Sequence, residues 1–354
     1  KGKEGIPLEK YWPYIKETLL ELLAIPSPSG YTYLANGYVS KQLDSLDMTY
    51  STTTKGAIVA TIPGKDKDNQ RTISAHVDTL GAMVKEIKGN GMLKLTNVGG
   101  LGWANVEGEN CTILTSSGAE YTGTMLLNKA SSHVHGAETA TTERKADTMQ
   151  VRLDERVSSQ EDTRKLGIDV GDFVVFDPRV HVTGSGFIKS RHLDDKAGVA
   201  VMLGILKAIK EENIELPCTT NFFFSHFEEV GHGASAGIPA ATREMLCIDM
   251  GAPGEGQQSD EFTVSICAKD SSGPYSWSMK ESLVGLCKEH KIPYQVDIYP
   301  FYGSDASASL RAGHDFVAGL IGPGVDASHS YERTHKDSIM ATANLTWVYI
   351  KSEI

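Results

Sequence analysis

Apolar residues recur at helical spacing from Trp12 to Leu23 (Trp12, Ile15, Leu19, Leu20, Leu23), and Pro26-Ser-Pro-Ser-Gly30 ends that pattern with strong breakers. A second helical stretch, Tyr38 to Leu46, precedes two β-rich runs, Ala57–Ile62 and Thr72–Val77. Between Met83 and Pro178 the texture changes to short strands punctuated by Gly and Asn turns, such as Lys88-Gly-Asn-Gly91 and Thr115-Ser-Ser-Gly118. Only Ser159 to Lys165 reads as a helix there. From Arg191 onward, helices (Ala197–Lys210, Met279–His290, Ser304–Ala312, Lys336–Ile350) alternate with strands (Thr220–Phe227, Met245–Asp249, Glu261–Ala268, Tyr294–Tyr299, Phe316–Ile321). This alternation predicts an α/β fold built on a mostly parallel, helix-covered sheet. Residues 1–82 and 179–354 would form that domain, and residues 83–178 a small β-rich domain inserted into it.

Composition narrows the class. Among 354 residues, 34 basic against 45 acidic side chains give 34 − 45 = −11 at pH 7, too acidic for a general nucleic-acid binder. With 40% apolar and 22% charged residues the chain can bury a core. Its longest apolar run, Ala197 to Leu206, is about half of what a membrane-spanning helix needs, so no membrane partner is expected. Lys1 to Lys10 carry no apolar signal core, and the five cysteines lack any CxxC pairing; both features predict a cytoplasmic protein with buried thiols.

Candidate chemistry falls at the ends of predicted strands, where open α/β sheets present their ligand sites. In Ala75-His-Val-Asp78 an extended backbone puts His76 and Asp78 on one face, so that Asp78 can orient His76 as a metal ligand; a satisfied surface pair is the plainer reading. Asp194 and Asp195 could merely cap the helix they precede. Glu228 and Glu229 follow the apolar Asn221-Phe-Phe-Phe224 and are harder to explain without a cation, because burying unpaired charge is costly. Asp249 closes another apolar strand, and Ser328-His-Ser-Tyr-Glu-Arg-Thr-His335 precedes the last helix. Together His76, Asp194, Glu229, Asp249 and His335 make a donor set suited to two divalent ions sharing one carboxylate, with charges balanced by a bridging hydroxide. Glu228 is left over for general acid/base work. Carboxylate and imidazole donors suit Zn or Co, with Mn also admissible.

The order of these segments resembles the co-catalytic metallo-aminopeptidases, a family that includes the tetrahedral, deblocking and glutamyl aminopeptidases (peptidase family M42). The matching pieces are Ile25-Pro-Ser-Pro-Ser-Gly30, Ala75-His-Val-Asp78, Leu193-Asp-Asp-Lys196, Glu228-Glu-Val-Gly231, Asp249, Gly303-Ser-Asp-Ala306 and Arg333-Thr-His335, spread over nearly the whole chain. The resemblance implies that His76 and Asp249 bind one ion, Glu229 and His335 the other, and Asp194 bridges; family register alone prefers Asp194 to Asp195. It also implies Glu228 as the base, Asp78 as a catalytic-site residue, and peptide substrates cut at their N terminus. The insert would help build a homo-oligomer, as in tetrahedral dodecamers. Thr79 and Ser304 depart from common family residues, and the polar loop Asp326 to Thr334 carries an additional His329.

A deblocking amidase or dipeptidase acting on an N-acylated peptide or osmolyte dipeptide is the same-chemistry alternative. Gly233-Ala-Ser-Ala-Gly237 matches the nucleophile elbow of serine hydrolases, with Ser235 as nucleophile, but the preceding strand ends several residues too early. Ser132-His-Val-His135 reads as a structural or interface pair.

Overall fold

The computed structural model describes residues 7–353; the charged opening Lys1–Ile6 lies outside them. The chain divides into two compact units: the residues through Asp78 with those from Val180 onward, and Thr79–Arg179.

The larger unit holds a nine-stranded sheet. In chain order its strands are β1 (Tyr50–Thr52), β2 (Ile58–Ile62), β3 (Gly64–His76), β4 (Leu216–Ser225), β5 (Thr242–Ile248), β6 (Val264–Asp270), β7 (Gly273–Pro274), β8 (Tyr294–Ile298) and β9 (Val317–Pro323). The spatial order is β1-β2-β4-β3-β5-β9-β6-β7, with β8 also paired to β6. The parallel pairing that helix–strand alternation leads one to expect occupies the centre, β4-β3-β5-β9; β2 and β6 flank it antiparallel, so the sheet is mixed. A physical reason is visible at β2. The chain reverses at Asp66, whose carboxylate accepts the N–H groups of Asp68 and Asn69, so β2 and β3 run oppositely and only one can be parallel to β4.

The period-two geometry of strands sorts side chains to two cores. Phe222, Phe224, Leu246 and Ile248 enter one, and Phe223, Met245 and Cys247 the other. Helices α1 (Trp12–Ala24), α2 (Tyr33–Ser45), α3 (Leu193–Glu212), α4 (Trp277–His290), α5 (Asp305–Arg311) and α6 (Lys336–Ile350) complete the layers. The buried stripe of α1 is Ile15, Leu19, Leu22 and Leu23. Buried Lys196 caps its C-terminal end, donating to Leu22 O and Ile25 O, and burial pushes its ammonium down to about 7. A small antiparallel sheet joins His181–Val182, Phe187–Ser190 and Glu332–His335.

The smaller unit is a closed six-stranded antiparallel barrel, in the order 81–87, 93–98, 149–153, 120–127, 110–114, 173–176. Val84, Leu95, Ile113, Met125, Val151 and Val174 fill it. Its helix Gln160–Lys165 is capped by Ser159, and two four-residue helices, Ser132–His135 and Glu138–Thr141, are too short to leave a periodic signal. The five cysteines are buried and free, and among the described residues no helix is long and apolar enough to cross a membrane.

Candidate metal centre

The central strands run the same way, so their C-terminal ends lie side by side and carry the chemistry. His76 ends β3, Glu228 and Glu229 follow β4 in a 3-10 turn, Asp249 follows β5, and the loop after β9 brings His329. Asp194 arrives from the start of α3, where Asp194 and Asp195 have non-helical backbone angles and a cis peptide joins them.

Two triads share Asp194. The ligand atoms of His76, Asp194 and Asp249 lie within 4.8 Å of one another, as do those of Asp194, Glu229 and His329. Asp194 Oδ1 is 3.1 Å from His76 Nε2, and its Oδ2 is 3.4 Å from His329 Nε2. Glu229 Oε2 is 3.5 Å from His329 Nε2, while its Oε1 is buried without a hydrogen-bond partner. Such an orphaned carboxylate oxygen, among carboxylates faced only by two imidazoles, fits a missing cation. Glu228 belongs to neither triad; its Oε2 stands 3.5 Å from His76 Nε2.

Electrostatics follow from this crowding. Burial pushes Asp249 up to about 8, with Asp194 adding repulsion. Burial likewise carries Glu228 and Glu229 well above the usual carboxylate range. Asp194 goes the other way: burial would raise it, but hydrogen bonds from His329 and His76 hold it below the ordinary value. Burial would lower both imidazoles, yet the carboxylates keep His76 well above its usual value and His329 up to about 10.

The supports of these side chains are specific. The buried Asp78 carboxylate accepts the backbone N–H groups of Glu228 and Glu229, at 3.2 Å each, and the Ser29 hydroxyl. His76 Nδ1 is 2.8 Å from the Asp78 backbone carbonyl, whereas the nearer carboxylate oxygen is 3.8 Å away. The expectation that the Asp78 carboxylate orients the imidazole is therefore corrected: the main chain does so, and the carboxylate fixes the Glu228-Glu229 turn. Asp195 turns its carboxylate to the N–H groups of His76 and Gly198. A Cβ on Gly198 would come within 2.5 Å of that carboxylate, which explains the glycine. Glu332 braces both halves of the centre, accepting the Asp194 N–H at 3.1 Å and the His329 N–H at 3.0 Å.

His335 is also corrected. It ends the strand Glu332–His335, opposite Phe187, where its Nε2 meets Ser185 O at 2.8 Å and its Nδ1 accepts from Asp337 N. Those partners use both ring nitrogens, and His335 is in neither triad. His329 stands where His335 was expected. Its only sequence signal was a histidine in a polar loop after a buried strand. Ser235 lies in a 3-10 turn, donating to His232 O and accepting from Lys55 Nζ, an arrangement without a base. Gly233 is explained by Asp305, whose carboxylate oxygen would lie 2.3 Å from a Cβ there.

A cleft of about 360 Å³ opens over the centre, lined by Asp194, Glu228, Glu229, Asp249 and His329 together with Phe301, Tyr302, Ser304 and Arg311.

Comparison with known proteins agrees with this geometry. The profile of a family described as M42 glutamyl aminopeptidase matches residues 56–345. The chain is 52% identical over 336 residues to YhfE of Bacillus subtilis (strain 168), for which aminopeptidase activity is inferred, covering 95% of this chain and 97% of YhfE. In fold it is similar to aminopeptidase APDkam598 of the archaeon Desulfurococcus kamchatkensis (TM-score 0.84, 23% identity, 97% and 95% of the two chains). It is also similar to the TET1 peptidase of Pyrococcus horikoshii, which can assemble into a tetrahedron or a large octahedral shell (TM-score 0.84, 21% identity, 96% and 100% covered).

Proposed function

The chain belongs to the M42 glutamyl aminopeptidase family and is an aminopeptidase; from that premise we propose that it works with two divalent ions held on either side of Asp194. His76 and Asp249 would hold one, and Glu229 and His329 the other. The observation that carries this reading is the pair of triads sharing one carboxylate, with a buried, partnerless Glu229 oxygen between them. Zn or Co suits these donors best, and Mn is compatible.

Ions bound there polarise a scissile carbonyl and acidify water. The remaining work falls to the chain's own groups. Glu228, at the edge of the cleft and outside both triads, takes a proton from the attacking water at its carboxylate and returns it to the leaving amine. Its burial raises its proton affinity, which suits that exchange near neutral pH. Asp78 positions Glu228 and Glu229 through their backbone N–H groups rather than touching substrate.

Unblocked peptides should be cut at the N terminus, and chelation should abolish turnover until Zn or Co is restored. N-acylated peptides should survive. Hydrolysis that persists through chelation would contradict the proposal. We also assign the Thr79–Arg179 barrel to subunit contacts in a homo-oligomer. Replacing it by a short linker should yield smaller particles by light scattering, and an intact chain that is already monomeric would overturn that assignment.

A further inference from the structure

Arg311 is an unexplained cation in an acidic cleft. Among the charged side chains that line it, Asp194, Glu228, Glu229 and Asp249 are anionic. Arg311 is the last residue of α5, and among the described residues its one polar partner is a neutral hydroxyl, Ser272 Oγ at 2.9 Å. A cation in the last turn complements the helix dipole, but that role does not require it to line the cleft.

The wall that presents Arg311 is rigid. Ser304 caps α5 and shares a hydrogen bond with Tyr275, whose hydroxyl also donates to Asp270 at 2.7 Å. Ser271 exchanges hydrogen bonds with the main chain of Tyr302. The turn that follows β6 thus fixes the loop before α5 through Asp270 and Ser271, and Arg311 itself through Ser272. A guanidinium held this way loses little freedom on pairing and offers a planar fork matched to a carboxylate.

We propose that Arg311 is the specificity-determining residue of this cleft and selects substrates that carry a carboxylate, either an acidic first side chain or the free C terminus of a short peptide. The inference rests on the aminopeptidase reading. A carboxylate seated there would face Arg311 in place of water. Charge-assisted pairing of this kind discriminates by roughly tenfold to a hundredfold.

Three peptides separate the possibilities: Gln-Ala amide (neutral), Glu-Ala amide (side-chain carboxylate) and Gln-Ala (terminal carboxylate). In the metal-loaded wild type, one of the two anionic peptides should exceed Gln-Ala amide in kcat/KM by about ten- to a hundredfold. That preference should collapse in Arg311→Gln and partly return in Arg311→Lys. Preference for Glu-Ala amide identifies the side chain as the partner, and preference for Gln-Ala the C terminus. Equal turnover of all three, or a preference that survives Arg311→Gln, overturns the proposal. Calorimetric titration of the same peptides keeps the two readings apart. If no peptide is cut, the aminopeptidase reading fails, while tighter binding of an anionic peptide to wild type than to Arg311→Gln still supports Arg311, and equal binding refutes it.

Discussion

Replacing Glu332 with Gln should loosen metal binding at a residue that touches no ion. Glu332 is 2% exposed, and its two oxygens accept the N–H groups of Asp194 and His329 at 3.1 and 3.0 Å. Glutamine keeps the size but offers one acceptor and one NH2, so one of the two backbone donors must lose its partner. An unsatisfied buried donor costs about 1–3 kcal/mol, which at about 1.4 kcal/mol per decade corresponds to roughly 5- to 150-fold in affinity. Outer partners of metal ligands are worth about 10- to 100-fold, in the same range. Competition for Zn between the protein and a chromogenic chelator measures the effect directly. Glu332→Gln should bind Zn about 10- to 100-fold more weakly while its circular dichroism stays that of the wild type. Wild-type affinity in this variant would refute the idea that Glu332 ties the two halves of the centre together.

Glu228→Gln should lower kcat by at least about a hundredfold with both ions retained and KM little changed, whereas Glu229→Gln should lose metal; the reverse pattern would exchange the two roles. His329→Ala should lose one ion by elemental analysis and His335→Ala none, and the opposite outcome would restore His335 to the ligand set. In metal-free protein, burial raises Asp249 to about 8 and Glu332 to about 8. A carboxylate whose folded pKa is raised gives its full stabilisation below its unfolded pKa of about 4 and loses it as pH climbs through about 8. Chelated protein should therefore melt at a lower temperature near pH 8 than near pH 6, with metal removing the difference; an equal or higher melting temperature near pH 8 would contradict the crowding of carboxylates.

Elements with a clear period were legible in the sequence. The spacing of Ile15, Leu19 and Leu23 gave α1 nearly to the residue, and α6 was bounded as Lys336–Ile350. The α/β architecture, the β-rich insert and the acidic strand ends followed from the same patterns. The antiparallel flanks did not, because strand direction depends on a reversal at Asp66 that hydrophobicity does not encode. Nor did the second histidine. Glu332–His335 is a four-residue strand without apolar alternation, so nothing marked His335 as belonging to a ladder. Ala327 and His329 have φ of 56° and 63°, a local turn no spacing rule anticipates. The choice between Asp194 and Asp195 depends on which carboxylate meets imidazoles and which meets backbone N–H groups, a three-dimensional distinction. The Asp78 carboxylate misled because an HxD pair predicts a side-chain bond where the main-chain carbonyl is closer.

The most direct measurement is anomalous diffraction from crystals of the Zn-loaded protein. Two peaks should flank the Asp194 carboxylate, one against His76 and Asp249 and the other against Glu229 and His329. A single peak, or a peak bound by His335, would contradict the two-ion centre.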